Sequence, residues 1–231
     1  MNETYNKRLF SGGVRRYFHE ARFIWLKRQI SRLAPDAKSA IELGCFDAKS
    51  LAYLPITPSK YWGLDANWEG GLTLARQNWG RHENYKFIEC ARPTDVDLSG
   101  QTFDVSISME TLEHLSDNDL NAYLRLLAGV TQTYTFITVP NETGLFFLVK
   151  HATKYLIGSP SESYTASELA WATLGKTDKF QRHEHKGFNY RKLLKTISDY
   201  FLVRSVIGIP FSFLPASANF TIGIVASQKT D

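Results

Sequence analysis

The stretch that decides the fold is "AIELGCFDAKSLAYL", residues 40–54. An apolar strand leads into a turn at Gly44 and then into a helical pattern, as in a nucleotide-binding strand–loop–helix unit. Phe46 and Ala48 stand where a dinucleotide-binding loop has its second and third glycines. Their Cβ atoms would crowd a pyrophosphate at the helix N-terminus, so the loop disfavours NAD and FAD.

Short apolar runs alternate with helical patterns after residue 38, which predicts a parallel sheet built from strand–helix–strand units. The predicted strands are 39–43, 61–64, 85–88, 103–109, 134–139, 201–207 and 220–226, and the predicted helices are 48–54, 68–79, 117–129 and 187–199. Ser116 and Asp119 predict a capped start for the third helix. The expected fold class is α/β, with a seven-stranded, mostly parallel sheet and helices on both faces.

The composition of the chain predicts one globular domain over residues 1–231. With 231 residues, 43% hydrophobic and 22% charged, the chain can bury one good core. The two cysteines, Cys45 and Cys90, come without a signal-peptide pattern or an apolar run that could span a bilayer. We therefore expect a cytoplasmic protein without structural disulfides.

Positive charge is concentrated in an N-terminal arm, residues 1–37. The net charge is +4, but residues 1–38 carry +6 and the remainder carries −2. Within the arm, "VRRYFHEARFIWLKRQISRL" has apolar residues near helical spacing, which predicts a basic amphipathic helix. We favour a helix that covers the main domain over one that contacts a membrane surface or nucleic acid. Nucleic acid is disfavoured because the rest of the chain is slightly acidic.

An insertion of about 141–186 interrupts the strand–helix alternation and is too long for an ordinary crossover, which predicts a cap or lid over a substrate. Phe146, Phe147 and Trp171 are expected to enclose the acceptor or to touch a lipid surface, with burial in the core as the alternative. The lipid alternative would place the protein at the inner face of the membrane. The sequence does not predict an oligomeric state.

Two acidic residues at predicted strand ends indicate which cofactor the loop suits. Asp65 ends the second strand, 21 positions after Gly44, where a bidentate acceptor for ribose hydroxyls belongs. Glu42 is the matching acid on the first strand. S-adenosylmethionine has no phosphate, so an acidic strand end and backbone groups can hold its methionine part without a glycine-rich loop.

Four segments, "IELGCFDAKS", "GLDAN", "FDVSISMETLEHLSD" and "TFITVPNE", resemble in order and spacing the class I S-adenosylmethionine-dependent methyltransferases. The resemblance implies an antiparallel last strand. The implied cofactor-binding residues are Glu42, Gly44, Cys45, Phe46, Asp65, Ala66, Cys90, Ala91 and Met109. The family often has an acidic residue after the third strand to meet the adenine amino group. Here Cys90 takes that position, so adenine would rest on backbone and apolar walls.

A second group of polar residues, Glu110, Glu113 and His114, follows the fourth strand, where this fold brings an acceptor to the methyl group. One hypothesis is general-base catalysis by His114 with Glu113, which would activate an alcohol for in-line attack. The other is a divalent cation such as Mg²⁺. Two carboxylates and an imidazole within five residues could coordinate it, and His183 and His185 follow later in the chain. Both hypotheses favour an oxygen acceptor.

The run E-x-x-E-H resembles two metal-using groups, the ubiquinone-biosynthesis O-methyltransferases and the RNA 3′-end 2′-O-methyltransferases. That resemblance implies Glu110, Glu113, His114 and His185 as metal ligands, with His183 less favoured. "LEHL" also occurs in methyltransferases without a metal. The insertion and the C-terminal third resemble bacterial methyltransferases of surface-polysaccharide and glycolipid synthesis. The resulting expectation is O-methylation of a small molecule, a saccharide or a lipid-linked saccharide. The alternatives are a metal-dependent quinone or RNA 2′-O-methyltransferase and a non-catalytic binding module with a methyltransferase-like fold.

Overall fold

The computed structural model describes residues 13–156, 164–181 and 186–229, in which seven strands form one sheet. The strands are β1 (Ser39–Leu43), β2 (Lys60–Asp65), β3 (Tyr85–Glu89), β4 (Phe103–Met109), β5 (Thr131–Pro140), β6 (Phe201–Ile209) and β7 (Thr221–Gln228). Their order is β3-β2-β1-β4-β5-β7-β6. Neighbours among β1 to β5 are parallel, and β7 runs antiparallel to both β5 and β6. The predicted mostly parallel sheet with an antiparallel last strand is confirmed.

The helices are α1 (Gly13–Leu33), α2 (Gly71–Trp79), α3 (Asp117–Val130), α4 (Gly144–Leu156), α5 (Ala166–Thr173) and α6 (Tyr190–Tyr200). The predicted cap of α3 is confirmed, because the Ser116 hydroxyl accepts a hydrogen bond from the backbone N–H of Asp119. The α-helix predicted at 48–54 is wrong, since Lys49–Tyr53 forms a short 3₁₀ helix. Leu54 precedes Pro55 and is extended, which ends the helix after one turn.

The core lies on both faces of the sheet because side chains of a strand alternate between its faces. In β1, Ile41 and Leu43 pack with α3 and α6, whereas Ala40 packs with α1 and α2. Both layers are built from fully buried side chains, such as Leu124 on one face and Tyr61 on the other. Helices therefore pack against both faces of the sheet, and this packing fixes the position of its carboxyl edge.

Helix α1 packs against the main domain. Leu26 and Ile30 are fully buried, and the ring of Phe23 stacks on Tyr53 with centroids 4.9 Å apart. Trp25 lies so close to Gly223 that a Cβ there would be 2.6 Å from its ring. Ile24 is exposed, so Trp25 is the residue of this pair that faces the core.

The three aromatic residues singled out in the insertion are not the ones that reach solvent. Phe147 is 2% exposed and packs on Tyr164, with ring centroids 5.3 Å apart. Phe146 is half-buried against Phe220, and Trp171 is half-buried under the ammonium group of Lys176. The expected lipid contact of Phe147 is therefore wrong, because the phenyl ring fills the core instead. In the described part of the chain, no helix is both long and apolar enough to cross a bilayer.

Candidate functional site

A cavity of about 550 Å³ opens at the carboxyl edge of β1, β2 and β4. This volume lies in the range of roughly 300–1,000 Å³ that is usual for small-ligand sites. Eleven residues singled out in the sequence line it: Glu42, Gly44, Cys45, Phe46, Asp65, Ala66, Cys90, Ala91, Met109, Glu110 and His114. Residues that the sequence reasoning missed line it too: Arg22, Phe23, Leu43, Ser50, Trp68, Thr111, Leu115 and Tyr123.

Gly44 is required by the packing of two strand ends. Its φ is +75°, and its N–H donates to the carbonyl of Leu64 at 2.7 Å. A Cβ at this position would lie 2.0 Å from Oγ1 of Thr111, which follows β4. Glycine here lets the loop after β4 approach the end of β1, in addition to shaping the cavity wall.

Phe46 and Ala48 follow the backbone path that glycines would follow. Their φ values are 48° and 55°, in the left-handed region that side chains rarely adopt. The ring of Phe46 lies against Gly71 at the start of α2, where a Cβ would be 2.3 Å from it. The ring therefore packs on the protein while it lines the cavity, and Phe46 supplies shape and a backbone N–H.

The carboxylate of Asp65 joins the loops after β1 and β2. One oxygen accepts from the N–H of Phe46 at 2.9 Å, and the other from the N–H of Asn67 at 2.7 Å. Burial raises the pKa of Asp65, while these N–H donors lower it. The N–H of Trp68 is a third donor to this carboxylate. A carboxylate has about four acceptor sites, so one remains for a ligand hydroxyl.

Glu42 is fully buried at the end of β1 and accepts hydrogen bonds from the hydroxyls of Ser50 and Tyr61. Burial raises the pKa of Glu42 to about 7, against the lowering effect of these two donors. The negative charges of Asp47 and Asp65 raise it further. Glu42 is therefore poised to change its charge near neutral pH. No motif points to Ser50 or Tyr61, which reach Glu42 only through the fold.

Arg22 brings a buried cation to this acid-lined cavity. Its side chain comes from α1, the residue is 8% exposed, and its guanidinium carbon lies 5.1 Å from the ring centre of Phe23. Its buried Nε has no hydrogen-bond partner in the described part of the chain. The helical spacing could have indicated that Arg22 faces inward, because it lies four residues from both Phe18 and Leu26 and so shares their face of the helix.

His114 and Glu113, which follow β4, differ in their access to the cavity. His114 is half-exposed and lines the cavity, whereas Glu113 is completely buried behind it. The Nε2 atom of His114 lies 3.9 Å from Oε1 of Glu113, which is too long for a hydrogen bond. Burial and the nearby charge of Glu110 hold the pKa of Glu113 well above its usual range. Glu113 is therefore shut off from the cavity, and His114 is the residue of this pair that can meet an acceptor.

The predicted metal site is only partly within the described residues. His183 and His185 lie outside them, so the fourth proposed ligand has no described position. Across residues 13–156, 164–181 and 186–229, no three His, Cys, Asp or Glu side chains cluster as a metal site would need. Glu110, Glu113 and His114 thus do not form such a cluster by themselves.

The wall after β3 is built around Cys90. Its N–H donates to the carbonyl of Asp65 at 2.8 Å, and its sulfur lies 3.2 Å from the hydroxyl of Tyr123. Burial raises the pKa of the Cys90 thiol, so it stays neutral. This part of the cavity presents Cys90, Ala91, Leu115 and Tyr123 and no acidic residue among its described lining.

Solved structures with the same architecture are methyltransferases. An S-adenosylmethionine-dependent methyltransferase from Clostridium acetobutylicum is 10% identical, with a TM-score of 0.65 over 98% of this chain and 96% of that chain. Magnesium protoporphyrin IX methyltransferase from Synechocystis, with bound S-adenosylhomocysteine, is 12% identical, with a TM-score of 0.60 over 96% and 92%. The chain has the class I methyltransferase fold. No family model and no curated protein matches the sequence.

A third solved structure shows how little this methyltransferase fold says about the acceptor. The N-methyltransferase NodS from Bradyrhizobium japonicum is 11% identical, with a TM-score of 0.58 over 92% of this chain and 97% of that chain. Similar folds thus occur in proteins whose names state different acceptors, a magnesium protoporphyrin in one case and a nitrogen atom in the other. In the present methyltransferase fold, the acceptor must be inferred from the side chains around the cavity.

Proposed function

We propose that this protein binds S-adenosylmethionine in the cavity and methylates a hydroxyl oxygen of a small molecule, a saccharide or a lipid-linked saccharide. The observation that carries the proposal is the convergence of Asp65, Glu42 and Arg22 on one cavity, with His114 in its wall. The bound S-adenosylhomocysteine named for the Synechocystis structure supports the choice of cofactor.

The charged groups of the cavity match the polar parts of the cofactor one by one. Asp65 would accept from a ribose hydroxyl. Arg22 would pair with the α-carboxylate, since its buried Nε otherwise stays without a described partner. Glu42, ionised near neutral pH, would favour the α-ammonium group. When bound, the cofactor supplies an electrophilic methyl group on a sulfonium.

The residues after β4 suit an acceptor that must lose a proton. A half-exposed imidazole such as His114 can remove the proton of a hydroxyl as it attacks. Glu113 is completely buried and does not line the cavity, so it cannot reach an acceptor, although it lies directly behind His114. The apolar walls around Phe46 and Met109 exclude water and hold the acceptor in line with the methyl group.

Calorimetry with S-adenosylmethionine tests the proposal. We expect the intact chain to bind it and Asp65→Asn to weaken binding by about 10-fold or more, because a charged acceptor for a ribose hydroxyl is lost. His114→Ala should bind the cofactor as the intact chain does. It should also lose methyl transfer to hydroxyl acceptors, measured with methyl-labelled cofactor and a panel of sugars and phenols. Asp97→Asn, at an exposed site outside the cavity, is the matched control.

Two results would overturn the proposal. A folded chain that fails to bind the cofactor at millimolar concentration would be a binding module instead. Transfer that a chelator abolishes and Mg²⁺ restores would replace the base function of His114 by a metal-dependent reaction. Thermal melting of each variant without ligand separates a lost contact from a lost fold.

A further inference from the structure

The outer face of α4 is apolar although it is exposed. Leu145 is 71% exposed, Val149 is 54% exposed, and Ala152 is exposed as well. These positions are spaced by four and three residues, so the side chains lie along one side of the helix. Isolated exposed apolar residues are ordinary, but a row of them on one helix face indicates a surface that contacts something.

The loop between β6 and β7 continues this surface. Phe213, at 81%, is the most exposed large apolar residue among those described, and Leu214 beside it is 38% exposed. The side-chain amide of Asn141, just before α4, donates to the carbonyl of Ser217 in this loop at 3.0 Å. Leu145, Val149, Phe213 and Leu214 are called the apolar face below.

Aromatic packing connects the apolar face to the start of α1. Phe146 of α4 and Phe18 of α1 both pack on Phe220, with ring centroids 4.7 and 4.0 Å away. Phe18 also lies 6.3 Å from Phe211, which in turn lies 6.0 Å from Phe213. The apolar face is therefore anchored to a packed aromatic cluster, which keeps its exposed side chains in place.

The charges on the elements that carry the apolar face are basic or absent. Helix α4 contains Lys150, His151 and Lys154 and no Asp or Glu, and residues 205–228 contain no charged residue at all. The start of α1 contains Arg15 and Arg16, of which Arg16 is paired with Glu20 at 2.8 Å, so α4 supplies most of the positive charge. Exposed apolar side chains with cations on the same elements are the pattern of a surface that lies on anionic lipid.

We propose that the apolar face docks this protein onto an anionic lipid bilayer. Leu145, Val149 and Phe213 enter the interface, and the basic composition of α4 favours a bilayer with anionic headgroups. A protein partner would match less well, because the face offers few polar groups to fix an orientation. The docking does not depend on the proposed function.

The position of the apolar face bears on the acceptor, and this step rests on the proposed function. The segment from β5 to α4 leaves the carboxyl edge of the sheet, the same edge at which the cavity opens. Glu142 in this segment is close enough to raise the pKa of Glu113 electrostatically. A docked bilayer would thus lie near the cavity and present a lipid-linked hydroxyl to it.

Vesicle flotation tests the docking. We expect the protein to float with vesicles of phosphatidylcholine and phosphatidylglycerol, and much less with phosphatidylcholine alone. Leu145→Asp combined with Phe213→Asp should reduce the bound fraction by about 10-fold or more, since two apolar anchors are lost. The matched control is Leu174→Asp combined with Leu202→Asp, at 65% and 44% exposed positions away from the face. Unchanged cofactor binding by both variants would show that the fold and the cavity are intact.

A fluorescent probe gives a second measurement on the folded chain. Cys45 and Cys90 are both buried, so Phe213→Cys can be labelled selectively with an environment-sensitive dye. Its emission should shift to the blue with anionic vesicles, whereas dye at Leu174→Cys should not respond. Equal binding to neutral and anionic vesicles would overturn the proposal that the protein docks on anionic lipid. A chain that ignores vesicles but forms a dimer, dispersed by the double Asp variant, would show that a second copy covers the face instead.

Discussion

Five non-glycine residues with positive φ follow the strands that form the cavity edge. Phe46 and Ala48 come after β1, Asn67 and Glu69 after β2, and Glu110 after β4. A left-handed conformation costs an ordinary residue about 1–2 kcal/mol. Such strain persists where the surrounding structure enforces it and is concentrated at ligand sites. The side chains in place of the loop glycines therefore carry a local conformational cost at the cavity edge, and their presence does not indicate a lost site.

Arg22 is the residue whose role the proposal predicts most sharply. Arg22→Met should weaken S-adenosylmethionine by about 10-fold or more, because the α-carboxylate loses its charged partner. The same variant should bind 5′-methylthioadenosine, which lacks the amino-acid part, as tightly as the intact chain. Calorimetry with both ligands makes the comparison.

The matched control for this variant is Arg28→Met, an exposed position on the same helix. Equal weakening of both ligands by Arg22→Met would contradict the assignment, because it would place the effect in the packing of α1 and not in a contact with the carboxylate.

At the level of single residues, the sequence was informative where a motif fixes a backbone position. Asp65 and Gly44 follow apolar strands at a known spacing, and both reach the cavity. Arg22 entered the sequence analysis only as part of the +6 charge of residues 1–38. Tyr61 meets Glu42 because β2 lies next to β1, and strand pairing is a tertiary property that no local pattern encodes.

Among the elements, the ends of β1 and β4 are fitted to each other at Gly44 and Thr111. Gly44→Ala should lower the free energy of unfolding by about 2–4 kcal/mol, since the new Cβ would collide with Thr111 and would also require a positive φ. Adding Thr111→Gly should recover part of the loss. Urea denaturation of the single and double variants measures the interaction.

Gly129→Ala is the matched control, because nothing lies within 4 Å of a Cβ at that exposed position in α3. It should be neutral or stabilising by up to about 1 kcal/mol. Additive losses in the Gly44 and Thr111 cycle would show that the collision does not determine the cost.

Strands were predicted better than the segments between them. The pattern of β4 alone fixes its limits, because a buried strand is bounded by polar residues on both sides. The crossover from β1 to β2 was misjudged, since Lys49–Tyr53 has helical composition but is held between a left-handed Ala48 and the Leu54–Pro55 step. Which aromatic residues of the insertion reach solvent depends on how α4 rotates against β7, which the sequence does not show.

For the whole molecule, the charge of Glu42, a buried residue on the inner strand β1, affects the folding equilibrium. Burial raises the pKa of Glu42 from 4.5 to about 7 in the folded chain. Between these two pH values the folded chain retains a proton that the unfolded chain releases. The contribution of Glu42 to stability is therefore fully present below pH 4.5 and is lost as the pH rises through 7.

Glu42→Gln should remove this dependence while its side-chain oxygen still accepts from Ser50 and Tyr61. The measured quantity is the free energy of unfolding of the variant minus that of the intact chain. This difference should increase with pH by about 3 kcal/mol in total and level off above pH 7. Urea denaturation at pH 5, 6, 7 and 8 measures the difference, with the exposed Glu83→Gln as control. A constant difference across this range would mean that Glu42 is already ionised in the folded chain at pH 5. In that case the hydroxyls of Ser50 and Tyr61 would outweigh the cost of burial, and the carboxylate would be charged before the cofactor binds.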